Sequence, residues 1–293
     1  VFATKFNFLK KKKIENHFML HGRHVLRLFK AFDLPSPTKF CDKIKESGLN
    51  INSFIPPRRT LMGPGPSDVS ERVLNAMARP TIGHLDPLFI EMMDEIKTLL
   101  QYVFQTKNQL TFAVSAPGSA GMECCFANLV EPGDQVIVCQ NGVFGGRMRE
   151  NVERCGGSVI MVQDEWGSAV DPTKLEEVLK RNPNAVIVAF VHAETSTGVQ
   201  SDARSLVRLA HEYDCITIVD TVTSLSGTPL FVDDWEIDAI YSGSQKCLSA
   251  PPGLSPVSFN ERAAKKIRAR KSRVQRGKPD FPGIESGSDE YVR

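Results

Sequence analysis

AVIVAFVHAETSTGVQSDARSLVRLAHEYDCITIVD, residues 185–220, holds two apolar runs separated by a polar turn and a longer amphipathic stretch. AVIVAFV and CITIVD are apolar at nearly every position and rich in β-branched residues, which suits strands covered on both faces. Between them, DARSLVRLAHEYD spaces its apolar residues as a helix does. Strand, helix and strand in that order make a unit whose two strands run parallel.

The alternation continues to either side. LTFAVSA (110–116), QVIVC (135–139), SVIMV (158–162) and DAIYSG (238–243) read as further strands. SAGMECCFANLV, GGRMRENVERCG and DPTKLEEVLKRN read as helices between them, and DPLFIEMMDEIKTLLQYVFQ (86–105) as an amphipathic helix before the first strand. The pattern predicts an α/β protein: three α/β/α layers around a mainly parallel sheet. GPGP at 63–66 admits neither helix nor strand and reads as a rigid loop. Ligands bind such sheets at the carboxyl ends of the strands, so candidate chemistry should follow each apolar run.

Composition narrows the class. Hydrophobic content of 41% and charged content of 24% are those of a globular domain, and no apolar run is long enough to span a bilayer. The net charge of +2 conceals a basic start: Lys5, Lys10 to Lys13, Arg23, Arg27 and Lys30 face one acid, Glu15, within residues 1–32. No nucleic-acid motif accompanies these charges, so no nucleic-acid partner is expected. Val25, Leu28, Phe29 and Phe32 fall at helical spacing opposite the basic residues, the pattern of a mitochondrial presequence, with a translated leader as the alternative. Residues 1–54 are therefore set apart from the catalytic fold. The seven cysteines are scattered, with no zinc or disulfide spacing, so no metal site is expected.

Four places follow strands. SAPGSAGME ends one strand and opens a helix, so Gly118 and Ser119 stand where free N–H groups favour an anion, although Ser119 serves equally as a plain N-cap. VHAETSTG (191–198) clusters Glu194, Thr195, Ser196 and Thr197, which a simple turn closed by Gly198 would also explain. Asp220 ends an apolar strand, where its carboxylate needs a cation or hydrogen-bond donors. Lys246, in YSGSQKCLSAPPGLSP (241–256), follows the next strand and is a lone amine among small and polar residues. A carboxylate for a pyridinium nitrogen, a lysine for an aldehyde and a helix N-terminus for a phosphate are the three anchors of pyridoxal phosphate.

The motifs TLMGPGPSD (60–68), MDEIKTLLQYVFQT (93–106), GME (121–123), NLVEPGD (128–134), ETSTGV (194–199), IVDTVTSLSGTPL (218–230), YSGSQK with APPG (241–253) and ARKS (269–272) resemble the alanine–glyoxylate and serine–pyruvate aminotransferases, class V pyridoxal-phosphate enzymes of fold type I. The resemblance implies pyridoxal 5'-phosphate as cofactor and Lys246 as its Schiff-base lysine. It implies Asp220 as partner of the pyridine nitrogen, Ser196 as the hydroxyl near the ring oxygen, Val222 on one ring face and Gln245 as a phosphate-side ligand. Gly118 and Ser119 fall on the phosphate turn, Phe144 at the ring-stacking position, and Gly65 near the approaching substrate. Ser119 stands where the family usually has histidine, and Phe144 where it has tryptophan, which offers more stacking area.

The implied reaction is transfer of an amino group from alanine or serine to glyoxylate or pyruvate, with 3-hydroxykynurenine transamination or a non-catalytic cofactor lobe as alternatives. The implied assembly is a homodimer, and the implied compartment mitochondrial, with the peroxisome as alternative. The cofactor-binding domain is expected over residues 55–272. Residues 273–293 are expected to be a polar tail, standing where the family has a small C-terminal domain that clamps the substrate carboxylate.

Overall fold

The structure is a computed structural model that describes residues 55–270. The presequence and tail expectations therefore lie outside the described residues. Contacts divide the chain between Arg59 and Thr60, and the fold below is that of residues 60–270.

The elements run α1 (Glu71–Met77), α2 (Pro87–Phe104), β1 (Leu110–Val114), α3 (Gly118–Leu129), β2 (Gln135–Gln140), α4 (Val143–Arg154), β3 (Ser158–Gln163), α5 (Pro172–Arg181) and β4 (Ala185–Val191). A short hairpin, β5 (Ala193–Glu194) and β6 (Val199–Gln200), precedes α6 (Ala203–Glu212), β7 (Ile216–Asp220), β8 (Ala239–Tyr241), β9 (Ser255–Phe259) and α7 (Glu261–Ala269). Seven strands form one sheet in the order β1-β9-β8-β7-β4-β2-β3. Only β9 runs against its neighbours, pairing antiparallel with β1 and β8.

Alternation along the strands builds two cores. Ile137, Cys139, Val188, Phe190, Val219 and Ile240 pack with α5 and α6 on one face. Val136, Val138, Ile187, Ala189, Ile218 and Tyr241 pack with α3, α4 and α7 on the other. The sandwich of helices, sheet and helices is the predicted three-layer architecture. β9 is the strand that the sequence pattern concealed. SPVSF contains a proline and two serines, yet every one of its residues is buried. Its serines are satisfied locally: Ser255 Oγ donates to the Ser242 carbonyl at 2.6 Å, and the Ser258 and Thr111 hydroxyls lie 2.8 Å apart.

The helix starts separate into two kinds. Asp86, Asp171, Asp202 and Asn260 cap α2, α5, α6 and α7, each side chain accepting a first-turn N–H. Pro117 and Gly142, at the starts of α3 and α4, supply no side-chain cap. Both of these helices begin just past the carboxyl end of a strand, β1 and β2 respectively.

A charged knot fastens the opposite edge of the sheet. Asp238, fully buried, accepts hydrogen bonds from His211 Nε2 at 2.8 Å, Thr217 N at 2.8 Å, Asn260 Nδ2 at 2.9 Å and Arg262 Nη1 at 3.3 Å. These partners come from α6, β7 and the start of α7, so one carboxylate joins three elements. Burial alone would push its carboxyl up, but the bonds from His211, Asn260 and Thr217 outweigh that and hold it below the ordinary range. A carboxyl depressed in the folded state contributes stability above its unfolded pKa of about 3.9 and loses it as pH falls through the lower, folded value. Asp238→Ala is expected to cost roughly 3–5 kcal/mol in denaturant unfolding at neutral pH. That deficit should shrink as the wild type is acidified below about pH 4.

Candidate active site

β7 and β8 pair in parallel register, placing Tyr241 opposite Asp220 at the carboxyl edge. Beyond β8 the chain turns through Ser242 to Leu254 before returning as β9. Ser244 closes that loop: its N–H donates to the Leu254 carbonyl at 3.0 Å and its hydroxyl to the Pro251 carbonyl at 2.6 Å. Lys246 sits within the loop, in a cleft of about 450 Å³ lined by Gly63 to Gly65, Ser67, Glu194, Thr195, Thr223 and Cys247 among others.

The GPGP loop is fastened directly to the lysine segment. Ser67 donates its N–H to the Gln245 carbonyl at 3.0 Å and its hydroxyl to the Lys246 carbonyl at 2.9 Å. Lys246 Nζ in turn donates to the Pro64 carbonyl at 2.8 Å. Gly65, at φ 129°, borders the amine so closely that a Cβ there would lie 2.7 Å from Nζ and 2.4 Å from Cδ. Only glycine fits both the backbone angle and the space. Burial pulls the Lys246 amine below its ordinary range, and attraction from Asp220 and Cys247 only partly restores it.

Asp220 is buried, with 2% of its surface exposed. Its Oδ1 accepts the Val222 N–H at 2.8 Å and its Oδ2 accepts the Tyr241 hydroxyl at 2.7 Å. Burial raises its pKa to about 6; the Val222 and Tyr241 donors and the Lys246 charge resist that rise, while Glu194 adds to it. The Val222 side chain lies against Gly118, where a Cβ would come within 3.1 Å of Val222 Cγ2. Gln245 Oε1 is buried without a hydrogen-bond partner, 2.8 Å from where a Cβ on Gly243 would stand. Val222 thus links Asp220 to the uncapped start of α3, and Gln245 lies beside the same surface.

The two uncapped helix starts at the carboxyl edge, α3 and α4, differ in one respect. Glu194, buried at 1% exposure, fills the start of α4. Its Oε2 accepts the Phe144 N–H at 3.2 Å, and its Oε1 accepts the Ser196 N–H at 3.1 Å and hydroxyl at 2.7 Å. Ser196 Oγ also accepts the Val143 N–H at 3.1 Å. The α4 start is therefore occupied by the protein's own carboxylate, and the α3 start is not.

The expected residues occupy different surroundings. Lys246 and Gly65 line the cleft. Asp220, Val222, Gln245 and Gly118 form the buried surface described above. Ser119 is exposed on the first turn of α3. Phe144 is half-buried and carries the Arg147 guanidinium 4.8 Å from its ring centroid. The Ser196 hydroxyl, expected near the cofactor ring, is committed to Glu194 and α4; Thr195 is the neighbouring hydroxyl residue that lines the cleft. The sequence pattern assigns no individual role to Glu194, Tyr241, Gly142 or Ser67. Glycine directly after a strand, in QNGVFGG, was the one available signal for the close approach at residue 142.

This mostly parallel seven-stranded sheet, covered by helices on both faces, has the large-domain architecture of fold type I pyridoxal-phosphate enzymes. The sequence model of the aminotransferase class-V family matches residues 67–274, and the chain belongs to that family, which uses pyridoxal phosphate. Over 219 residues it is 42% identical to the alanine–glyoxylate aminotransferase of Drosophila melanogaster, covering 74% of this chain and 55% of that protein. It is 41% identical over 222 residues to the (S)-ureidoglycine–glyoxylate transaminase of Bacillus subtilis, covering 75% and 53%. The crystal structure of an alanine–glyoxylate aminotransferase from Nostoc sp. superimposes with a TM-score of 0.75 at 42% identity, covering 78% of this chain and 60% of that one. The chain spans about half the length of the curated relatives it matches.

Gly142 is extended, at φ 178°, so space alone forbids a side chain there: a Cβ would lie 2.3 Å from Glu194 Cγ. Gly142→Ala should destabilise by roughly 1–3 kcal/mol, the ordinary penalty of overpacking. In a Glu194→Ala, Ser196→Ala background, which removes both side chains that a Cβ would meet, most of that penalty should vanish, and a mutant cycle in urea measures the difference.

Proposed function

We propose that this chain is the cofactor-binding part of a pyridoxal-phosphate-dependent aminotransferase that moves an amino group from alanine or serine to glyoxylate or pyruvate. The observation that carries the reading is the pairing of Lys246 with Asp220. A partly buried amine of lowered pKa lines a cleft, and a buried carboxylate on the adjacent strand influences it.

The residues fit the cofactor. Each Asp220 oxygen accepts one donor from the protein and retains a lone pair for a ring N–H. The uncapped first turn of α3 offers N–H groups to a phosphate, and Gln245 Oε1 is a buried polar atom still lacking a partner. Val222 and Phe144 are the apolar side chains proposed for the two ring faces, and Thr195 the hydroxyl beside the ring oxygen, a role for which its neighbour Ser196 is already engaged. Bound there, pyridoxal phosphate supplies an aldehyde for amine exchange and an electron-accepting ring.

The protein's share is positioning and proton movement. Lys246 would hold the cofactor through its Nζ, and the same amine would serve as the base for the proton on the substrate α-carbon. Its lowered pKa keeps more of the amine in the unprotonated form which that step requires. Asp220 would hold a proton on the ring nitrogen. Gly65, with no side chain, lets the GPGP loop close onto the Lys246 side chain and so helps position its amine.

Glyoxylate is named for both the Drosophila and Bacillus relatives, while their donors differ. That supports glyoxylate as acceptor and leaves (S)-ureidoglycine as the rival donor. Addition of pyridoxal phosphate to the purified protein should produce a near-ultraviolet or visible band that Lys246→Ala abolishes; a band that survives the substitution would sink the assignment. Asp220→Asn should lower kcat by about 100-fold or more while cofactor affinity changes far less. Comparing alanine, serine, 3-hydroxykynurenine and (S)-ureidoglycine as donors to glyoxylate ranks the substrates.

A further inference from the structure

Asp220 has one donor from its own turn and one from across the sheet. The Val222 N–H is two residues along the chain, a contact that any carboxylate ending a strand can make. The Tyr241 hydroxyl is different, because its 2.7 Å bond depends on the register that pairs residue 241 with residue 220. Tyr241 is also the largest of the fully buried side chains, and α3 presses on it. Gly121 of α3 has no Cβ, and one placed there would lie 3.1 Å from the Tyr241 Cβ and 2.0 Å from Ser255 Oγ. Full burial and the close approach of α3 confine the Tyr241 side chain beside the carboxylate.

We propose that Tyr241 is the positioning residue for Asp220: its hydroxyl fixes one carboxylate oxygen and holds the group ionised, so that the remaining lone pairs face a cationic ligand. The link to the reaction rests on the pyridoxal-phosphate reading above; the link between the two side chains does not. Four groups bear on Asp220. Tyr241 on β8 and Lys246 beyond it favour the charged carboxylate, and Glu194 on β5 opposes it. Cys125 on α3 stays protonated, its thiol driven up by burial and by the neighbouring negative charge. Burial together with Asp220 likewise drives the Tyr241 phenol well above its ordinary range, so it remains a donor throughout the physiological span.

The decisive measurement uses the protein without cofactor. Stability of wild type, Tyr241→Phe, Asp220→Asn and the double variant is measured by urea unfolding from about pH 4 to pH 9. A carboxyl raised in the folded state reduces stability as pH climbs from its unfolded to its folded pKa. Loss of the tyrosine donor should extend that window by about one pH unit, equivalent to about tenfold in the ionised-to-neutral ratio. The deficit of Tyr241→Phe should therefore grow between about pH 6 and pH 7 and then level off. It should be independent of pH in the Asp220→Asn background. A deficit equally flat in both backgrounds would mean that the hydroxyl serves packing alone and would overturn the proposal. Should Tyr241→Phe fail to fold, fluorotyrosine incorporated at the chain's four tyrosines makes the hydroxyl a stronger donor and should shift the Asp220 titration in the acid direction; no shift counts against it.

With pyridoxal phosphate bound, the acid limb of kcat should move about one unit alkaline in Tyr241→Phe, with the KM for the amino donor little changed. A normal Lys246-dependent band with an unmoved limb refutes the role in the reaction. Absence of the band in wild type refutes the cofactor reading instead, and the cofactor-free titration still decides the tyrosine.

Discussion

The carboxylate of Asp220, held out of water at the end of β7, is the constraint around which the carboxyl edge is arranged. A charge there is unfavourable unless donors meet it. Two do so from fixed positions: an N–H two residues on and a hydroxyl delivered by the register of β8. Parallel pairing matters because it places the ends of successive strands at one edge, where Asp220, Tyr241 and the Lys246 loop meet. A slip of one residue between β7 and β8 would turn Tyr241 to the other face and leave the aspartate with its local donor only.

Electrostatics at the same edge are divided between two helix starts. Both α3 and α4 present first-turn N–H groups with no side-chain cap of their own, so both would attract an anion. Glu194 occupies one of them. Its placement has three consequences: it caps α4, it fixes the 194–198 turn through Ser196, and it sets a negative charge near enough to Asp220 to raise its pKa. Gly142 is the steric condition for all three. An internal carboxylate at α4 leaves α3 as the start still open to an external anion.

Much of this was legible in the sequence, for identifiable reasons. Strands β2, β4 and β7 are apolar at almost every position because helices cover both faces, and runs such as AVIVAFV carry that directly. Lys246 and Asp220 were legible as candidates because strand ends are where such folds place ligands. β9 was missed because its two serines and its proline imitate a loop; their burial depends on partners in β1 and the 242–254 loop, which no local pattern contains. Tyr241 read as one more apolar position in DAIYSG, since whether a buried phenol meets a leucine or a carboxylate is decided by the neighbouring strand. Ser196 and Thr195 are adjacent hydroxyls, and which one turns toward the cleft follows from the position of Glu194.

The two edges of the sheet differ in how completely their polar groups are paired. At the amino edge, Asp238 is met by donors from three elements and its carboxyl lies below the ordinary range. At the carboxyl edge, Asn141 Oδ1, Thr197 Oγ1 and Gln245 Oε1 are buried without partners, the Asp220 pKa is raised and the Lys246 pKa lowered. Buried polar groups left unpaired each carry a penalty of about 1–3 kcal/mol, so a fold retains them where something else compensates. In Lys246 and Asp220 the opposite shifts share one physical cause: burial disfavours both charges, and each partly restores the other. A ligand that entered the cleft and gave either group a new partner would alter the ionisation of both. The burial that shifts both pKa values and the attraction by which each group partly restores the other's charge are therefore one coupled property of the site.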